Sequence, residues 1–308
     1  MEQVLVVGSL NMDMTVTLSH FPAVGETILA GGFQQSPGGK GANQAYAIGK
    51  LGGAVRFLGA VGDDPDGQAL CDNLRQAGVK VEGVLVKPGG QTGRAIIYVD
   101  SRGDNSIVVL PGANALLTAE DIRSQRQLLE ECSTVLLQME IPMGTIDYTI
   151  RTAFSLGKRV ILDPAPATGE FPKELYPYID IIKPNETELG ILLGDPDAGK
   201  QVERSARRLK EYGVKNVLVT LGEKGVYVDT QNGETAHIPG HAVRAVDTTA
   251  AGDSFSAALA MKLSMGEKLI EAVRYANLVS SIVVTRKGAQ SSVPSGEEVE
   301  EQRKKIYG

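Results

Sequence analysis

Thr134-Val-Leu-Leu-Gln138, the stretch Met143–Leu156 and Val160-Ile-Leu-Asp163 follow one another closely and decide the fold. The first and last are short apolar runs without polar alternation, which predicts strands buried on both faces. The stretch between them has helical length, and a helix joining two such strands makes them parallel. The pattern repeats downstream with strands Ile179–Lys183 and Asn216–Thr220 and helices Glu186–Leu193 and Val202–Tyr212. A hairpin of Gly225–Asp229 with Glu234–Ile238 follows, and helices over 253–262 and 269–285 close the pattern. The reading is an α/β fold: a doubly wound, mostly parallel sheet covered by helices on both faces.

Upstream, Val4–Val7 is a core strand ending at Gly8, Val55–Ala60 is another, and Ala42–Leu51 and Asp66–Ala77 read as helices. Two segments do not fit inside this sheet. Thr15–Leu18, Glu26–Ala30 and Gly31–Gln35 are broken by polar residues and glycine. Val84–Val86, Gly93–Asp100 and Asn105–Leu110 look like antiparallel strands with a turn at Ser101–Asp104. Together they predict a small β-sheet lid, approximately residues 12–36 and 84–110, projecting from one domain of residues 1–308. An exposed sheet with a partly apolar face needs a cover. A ligand beneath and a second subunit outside would cover both faces, so a homodimer through the lid sheets is expected.

Composition narrows the function. With 31 basic and 37 acidic residues the net charge is -6, and no basic tract is present, which argues against a nucleic-acid partner. No apolar run reaches membrane-spanning length, and the chain enters its first strand without a signal-peptide pattern, so a cytoplasmic protein is expected. Cys71 and Cys132 read as buried thiols rather than a disulfide. His20, His237 and His241 are scattered and make no transition-metal signature.

The richest chemistry lies in Val246-Asp-Thr-Thr-Ala-Ala-Gly-Asp253, which places two carboxylates six residues apart before a helix of small and apolar residues. A helix starting at Ala250 or Ala251 would aim its first N–H groups at an anion, with Asp253 close enough to act as a base. A base beside an anion hole suits phosphoryl transfer. Capping electrostatics explain an acidic first turn equally well. The ends of the predicted parallel strands gather further polar residues: Asn11, Asp13, Glu140, Asp163, Asn185 and the loop Thr220–Gly225.

Gly38-Gly-Lys-Gly-Ala-Asn43 lacks the phosphate-loop spacing, and Gly8-Ser-Leu-Asn11 lacks the dinucleotide fingerprint. The first could let a small polyol approach the backbone beside Asn43, or could be a tight turn with an exposed lysine. Asn11 and Asp13 point the same way if the chain is extended, offering an amide and a carboxylate to adjacent hydroxyls, or capping a turn. Asn185 and Glu188 are spaced for a capping box, or for organising magnesium-bound water and phosphate. Thr220-Leu-Gly-Glu-Lys-Gly225 could wrap a nucleotide or merely join two strands.

These motifs, in this order and from Gly8 to Pro294, resemble the ribokinase-like carbohydrate kinase family; the most specific are Gly38–Asn43, Asn185–Glu188 and Val246–Asp253. The resemblance implies transfer of the terminal ATP phosphoryl to a sugar hydroxymethyl, with D-ribose giving ribose 5-phosphate. It implies Asp253 as base and the backbone N–H groups of Ala251, Gly252 and Asp253 as anion hole. It assigns Asn11, Asp13, Gly39, Lys40, Asn43, Glu140, Asp247 and Asp253 to the sugar. On the nucleotide side it places Asn185, Thr220, Gly222, Glu223, Lys224, Gly225, Gly252 and Asn277. A potassium ion is implied between Asp247, Thr249, Val283, Arg286, Gly288 and Ser292, and magnesium reached indirectly by Glu188. Alternative acceptors are deoxyribose, fructose and adenosine. The alternative of another class is a catalytically silent sugar-binding regulatory module, against which an intact Asp253 and Gly252 argue.

Overall fold

The computed structural model describes residues 3–307. Strand β1 (Val4–Val7) leads through three residues into β2 (Asn11–Thr17) and β3 (Gly32–Gly38), then helix α1 (Lys40–Lys50). Next come β4 (Val55–Gly62), α2 (Pro65–Gln76), β5 (Lys80–Lys87) and the pair β6 (Gly93–Val99) and β7 (Asn105–Leu110). Helices α3 (Ala119–Ser124) and α4 (Arg126–Glu131) precede β8 (Thr134–Leu137), α5 (Met143–Ser155), β9 (Arg159–Leu162) and β10 (Ile181–Ile182). The chain continues through α6 (Glu186–Leu193), α7 (Val202–Glu211), β11 (Asn216–Thr220), β12 (Val226–Asp229) and β13 (Thr235–Ile238). It ends with α8 (Ala251–Ser264), α9 (Leu269–Val283) and α10 (Gly296–Tyr307).

Nine strands form the large sheet in the order β13-β12-β11-β10-β9-β8-β1-β4-β5, parallel except for the edge hairpin of β12 and β13. Alternation along β1 serves two cores. Val4 and Val6 pack with residues of α1, α2, α8, α9 and α10, whereas Leu5 and Val7 pack with residues of α3 to α7. All four are wholly buried, as a strand between two helical layers must be. β1 sits between β4 and β8, so the strand order reverses beside it and a crevice opens at the carboxyl ends of the neighbouring strands.

The small sheet, ordered β3-β2-β6-β7, projects from the end of β1. Asn11 pairs with Gly38 on one side and with Gly93 on the other. β2 and β6 run parallel, because the chain leaves this sheet after β3, builds α1 to β5, and returns. The expectation of antiparallel pairing holds for β2 with β3 and for β6 with β7. Register places Asp13, Ala95 and Val109 on one face, and Met14, Ile96 and Val108 on the other.

Three sequence expectations are corrected. Val84–Val86 belongs to β5, which pairs in parallel with β4 in the large sheet, so the second arm of the small sheet begins at Gly93 rather than at 84. β5 is an edge strand whose Lys80 and Glu82 face water while Val81 and Gly83 are buried, which gave it a lid-like pattern. Residues 26–30 form no strand; they lie in an irregular loop that turns at Gly25. Helices α3, α4 and α10 were not anticipated, because the first two are six residues each and the third is polar. Cys71 and Cys132 are buried free thiols, as expected.

Candidate active site

The crevice is built from strand ends and two helix starts. Helix α8 is buried almost all round, consistent with its run of Ala, Ser and Phe. Its N-cap Ala250 has φ 59°, a left-handed conformation costing a non-glycine residue roughly 1–2 kcal/mol. Ties on both sides hold it there: Val246 N–H donates to the Val284 carbonyl at 2.7 Å, and Ser254 N–H to the Ala250 carbonyl at 2.8 Å. Ala251 N–H donates to the Thr248 carbonyl at 3.2 Å. The implied three-donor anion hole is thereby narrowed, since the N–H groups left open in this first turn are those of Gly252 and Asp253.

Asp253 is 7% exposed, and each carboxylate oxygen receives one amide hydrogen bond. Asn43 Nδ2 donates to Oδ2 at 3.0 Å and Gln44 Nε2 to Oδ1 at 3.1 Å. Both amides come from α1, which starts at Lys40, two residues earlier than the sequence pattern indicated. Gly39 permits that start: its φ is 86°, and a Cβ there would lie 2.7 Å from the Asn11 amide nitrogen.

Carboxylates crowd the side that the resemblance assigns to the sugar. Glu140 Oε2 accepts from Ser9 Oγ at 2.5 Å and from the Lys40 N–H at 3.0 Å. Burial, reinforced by the charges of Glu140 and Asp253, pushes the Asp13 carboxyl up to about 7. Asp253 in turn holds the Lys40 ammonium well above its ordinary value, against the effect of burial. Asn11 is buried, and its Oδ1 accepts from Asn114 Nδ2 at 2.8 Å. This leaves the Asn11 amide hydrogens free to donate elsewhere.

Asp247 is tied to other partners. Its carboxylate accepts from the Thr249 hydroxyl and N–H and from the Gly288 N–H, at 2.6, 2.9 and 2.8 Å. Burial alone would make this carboxyl a weaker acid, but these bonds and Lys287 outweigh it and hold its pKa below the ordinary value. The contact joins the loop before α8 to the loop after α9. In that second loop the Val283 carbonyl accepts from Arg286 N–H, Ser292 Oγ donates to the Ala289 carbonyl, and the Arg286 guanidinium pairs outward with Glu298 at 2.9 Å.

Beyond Asp253 a cleft of about 1300 Å³ is lined by every residue assigned to the nucleotide: Asn185, Thr220, Gly222, Glu223, Lys224, Gly225, Gly252 and Asn277. Lys40 and Glu188 line it too. Asn185 and Glu188 do form the capping box: Asn185 Oδ1 accepts from Glu188 N–H and Glu188 Oε2 from Asn185 N–H, both at 2.8 Å. Burial raises the Glu188 carboxyl despite nearby Lys183. Asn277 Nδ2 donates to the Pro239 carbonyl at 2.8 Å, fixing the amide at the cleft wall.

Several participants had no assigned role in the sequence reading. Asp163 and Lys183 form a buried ion pair at 3.0 Å, with Ser256 and Gln44 also donating to Asp163 Oδ2. Asp163 Oδ1 is buried without a partner among the described residues. Gln44, Gln138, Ser256 and Asn114 carry no motif; only the position of Asp163 and Lys183 at strand ends marked that pair.

A model of the pfkB family of carbohydrate kinases matches residues 1–296. The ribokinase of Haemophilus influenzae is 37% identical over 294 residues, covering 95% of each chain. The deoxyribokinase of Salmonella typhi is 38% identical over 299 residues, covering 97% of each. The structure of Arabidopsis thaliana ribokinase complexed with ribose and ATP superposes with a TM-score of 0.91 at 35% identity, covering 97% of this chain and 98% of that one. With its two-sheet architecture and a family model matched across nearly its full length, the chain belongs to the pfkB family of carbohydrate kinases.

Proposed function

We propose that this ATP-dependent sugar kinase transfers the terminal phosphoryl group of ATP to the 5-hydroxyl of D-ribose, giving D-ribose 5-phosphate, by direct in-line displacement. One observation carries the mechanism: a buried carboxylate, with one donor on each oxygen, stands in the first turn of α8 beside two open N–H groups. Asp253 orients the primary hydroxyl and takes its proton as that oxygen attacks. The N–H groups of Gly252 and Asp253, with Ala251 completing the turn, stabilise charge on the transferred oxygens. Asn11, Asp13, Lys40, Asn43 and Glu140, with the Gly39 backbone, hold the sugar; the cleft from Asn185 to Asn277 holds the nucleotide. Asp247 serves the cation loop in this reading more than the sugar.

The residues present fit two metal ions. The half-buried Glu188, which lines the cleft, would give magnesium an oxygen donor reached through water. The Asp247 carboxylate, the Ser292 hydroxyl and the carbonyls of Thr249, Val283, Arg286 and Gly288 are all hard oxygen donors, suited to potassium. When bound, magnesium would neutralise the phosphates and potassium would add positive field behind the anion hole.

The small sheet supports a homodimer. Ile107, Val108, Val109 and Leu110 are each about half exposed, on both faces of β7. The face bearing Asp13 addresses the sugar, so a second copy is proposed to cover the face of Met14, Ile96 and Val108.

A second acceptor has specific support, because the deoxyribokinase relative is as similar as the ribokinase. The test is ATP-dependent phosphorylation of D-ribose, 2-deoxyribose, fructose and adenosine, with potassium and with sodium. Ribose as the acceptor with highest kcat/KM, and a rate that falls in sodium, supports the proposal. A higher kcat/KM for deoxyribose reassigns the acceptor, and no turnover with any acceptor points to a binding module.

A further inference from the structure

The amide of Gln44 touches two carboxylates at once: its Nε2 lies 3.1 Å from Asp253 Oδ1 and 3.0 Å from Asp163 Oδ2. Two acceptors fix which end of the amide faces them, since a carbonyl oxygen turned toward two carboxylates would be repelled by both. Gln44 Oε1 must therefore face away, toward Gln138. Gln138 can meet that oxygen only with its own amide hydrogens, and Nε2 does donate to it at 2.5 Å. The last oxygen in the series, Gln138 Oε1, is left fully buried with no partner among the described residues. Gly8 leaves room for it: a Cβ at that position would lie 2.0 Å from Gln138 Oε1. Buried polar groups are nearly always paired, so an orphan at the end of a chain of amides calls for a reason.

We propose that Gln138 and Gln44 are positioning residues for the base: Gln138 locks the Gln44 amide so that its N–H always points at Asp253, fixing the carboxylate's rotamer. The orphaned oxygen follows from that fixed polarity. Neither residue lines the cleft. The charged groups around Asp253 are Lys40 on α1 and Asp13 on β2, with Glu140 after β8 beside them, and Asp163 after β9, which shares the Gln44 amide and pairs with Lys183 after β10. None of these groups donates a hydrogen bond to Asp253; its donors are Asn43 and Gln44. Loss of one amide donor therefore acts directly on the base.

The proposal rests on the kinase reading above for its catalytic consequence, but not for its electrostatic one. The first measurement is thus independent of activity: a pH titration of the Asp253 carboxyl by ¹³C NMR in the wild-type protein, Gln44→Met and Gln138→Met, with Asp253→Asn used only to identify the resonance. Both Met variants should move the midpoint upward, by roughly one pH unit for Gln44→Met. The second is steady-state kinetics. Gln44→Met should lower kcat by roughly 10- to 100-fold with little change in sugar KM, and move the acid limb of the kcat/KM profile to higher pH. Unmoved midpoints in both folded variants overturn the proposal. So does a loss of thermal stability with no change in midpoint, because that is what packing alone would give. If Gln44→Met does not fold, Gln138→Met decides alone, since it leaves the bond to Asp253 in place and removes only the lock. Shifted midpoints in a protein that phosphorylates no sugar would uphold the relay and refute the kinase reading.

Discussion

Asp13 and Asp253 are carboxylates of one pocket with different work, and each gives a measurable consequence. Asp13 holds its proton in the folded protein up to about pH 7, where an unfolded chain has released it near the ordinary value of 3.8. Stability from this group is therefore complete below about pH 4 and declines as pH rises between those two values. Asp13→Asn should abolish that decline, so its melting temperature should exceed that of the wild type by more at pH 8 than at pH 4, while sugar turnover falls. A sugar hydroxyl donating to Asp13 favours the ionised form, so binding should release protons near pH 7. Calorimetry in buffers of different ionisation enthalpy reads this directly; identical enthalpies in all buffers would refute it. For Asp253→Asn, turnover should fall by roughly 10²- to 10⁴-fold with folding and sugar affinity retained. Both residues were legible in the sequence because each belongs to a short motif. Gln44 was not, because its partners arrive from positions 138, 163 and 253, and no local spacing records them.

In the proposed mechanism the start of α8 decides whether an anion can approach. Gly252 lies inside the helix, where alanine is intrinsically favoured by up to about 1 kcal/mol. A Cβ there would meet the Lys183 ammonium at 3.4 Å, an ordinary contact with the end of a flexible side chain. Gly252→Ala should therefore melt at or above the wild-type temperature, yet its methyl would stand where phosphate oxygens must come, and turnover should drop at least tenfold. A variant with both melting point and activity intact would show that the anion binds elsewhere. The long and strongly patterned elements of the large sheet were readable because burial on both faces leaves an unbroken apolar run. Edge strand β5 was misplaced for the opposite reason: one face is wet, and its alternation looks the same whichever sheet it joins. Capping chemistry at Asn185 and Glu188 was read correctly, but the bonds that make the box do not exclude a second task for oxygens facing the cleft.

At the scale of the molecule, the two sheets divide the labour: the small one carries Asn11 and Asp13, the large one with its helices carries Asp253 and the cleft. The proposed dimer predicts a mass near twice 32.6 kDa by sedimentation equilibrium, and Val108→Asp should return it toward a single copy. A wild-type mass of one copy refutes the dimer. That a second sheet exists was visible from the broken, polar strands near each end of its range; its parallel β2–β6 pairing was not, because pairing direction depends on where the chain returns. The three-residue link between β1 and β2 has one more consequence. Asn11 and Asp13 sit beyond this joint and Asp253 on the large-sheet side of it, so in the proposed reading a water molecule in place of the sugar would be too small to span both. On that reading the joint itself would resist wasteful cleavage of ATP, with the correct acceptor acting as the missing keystone.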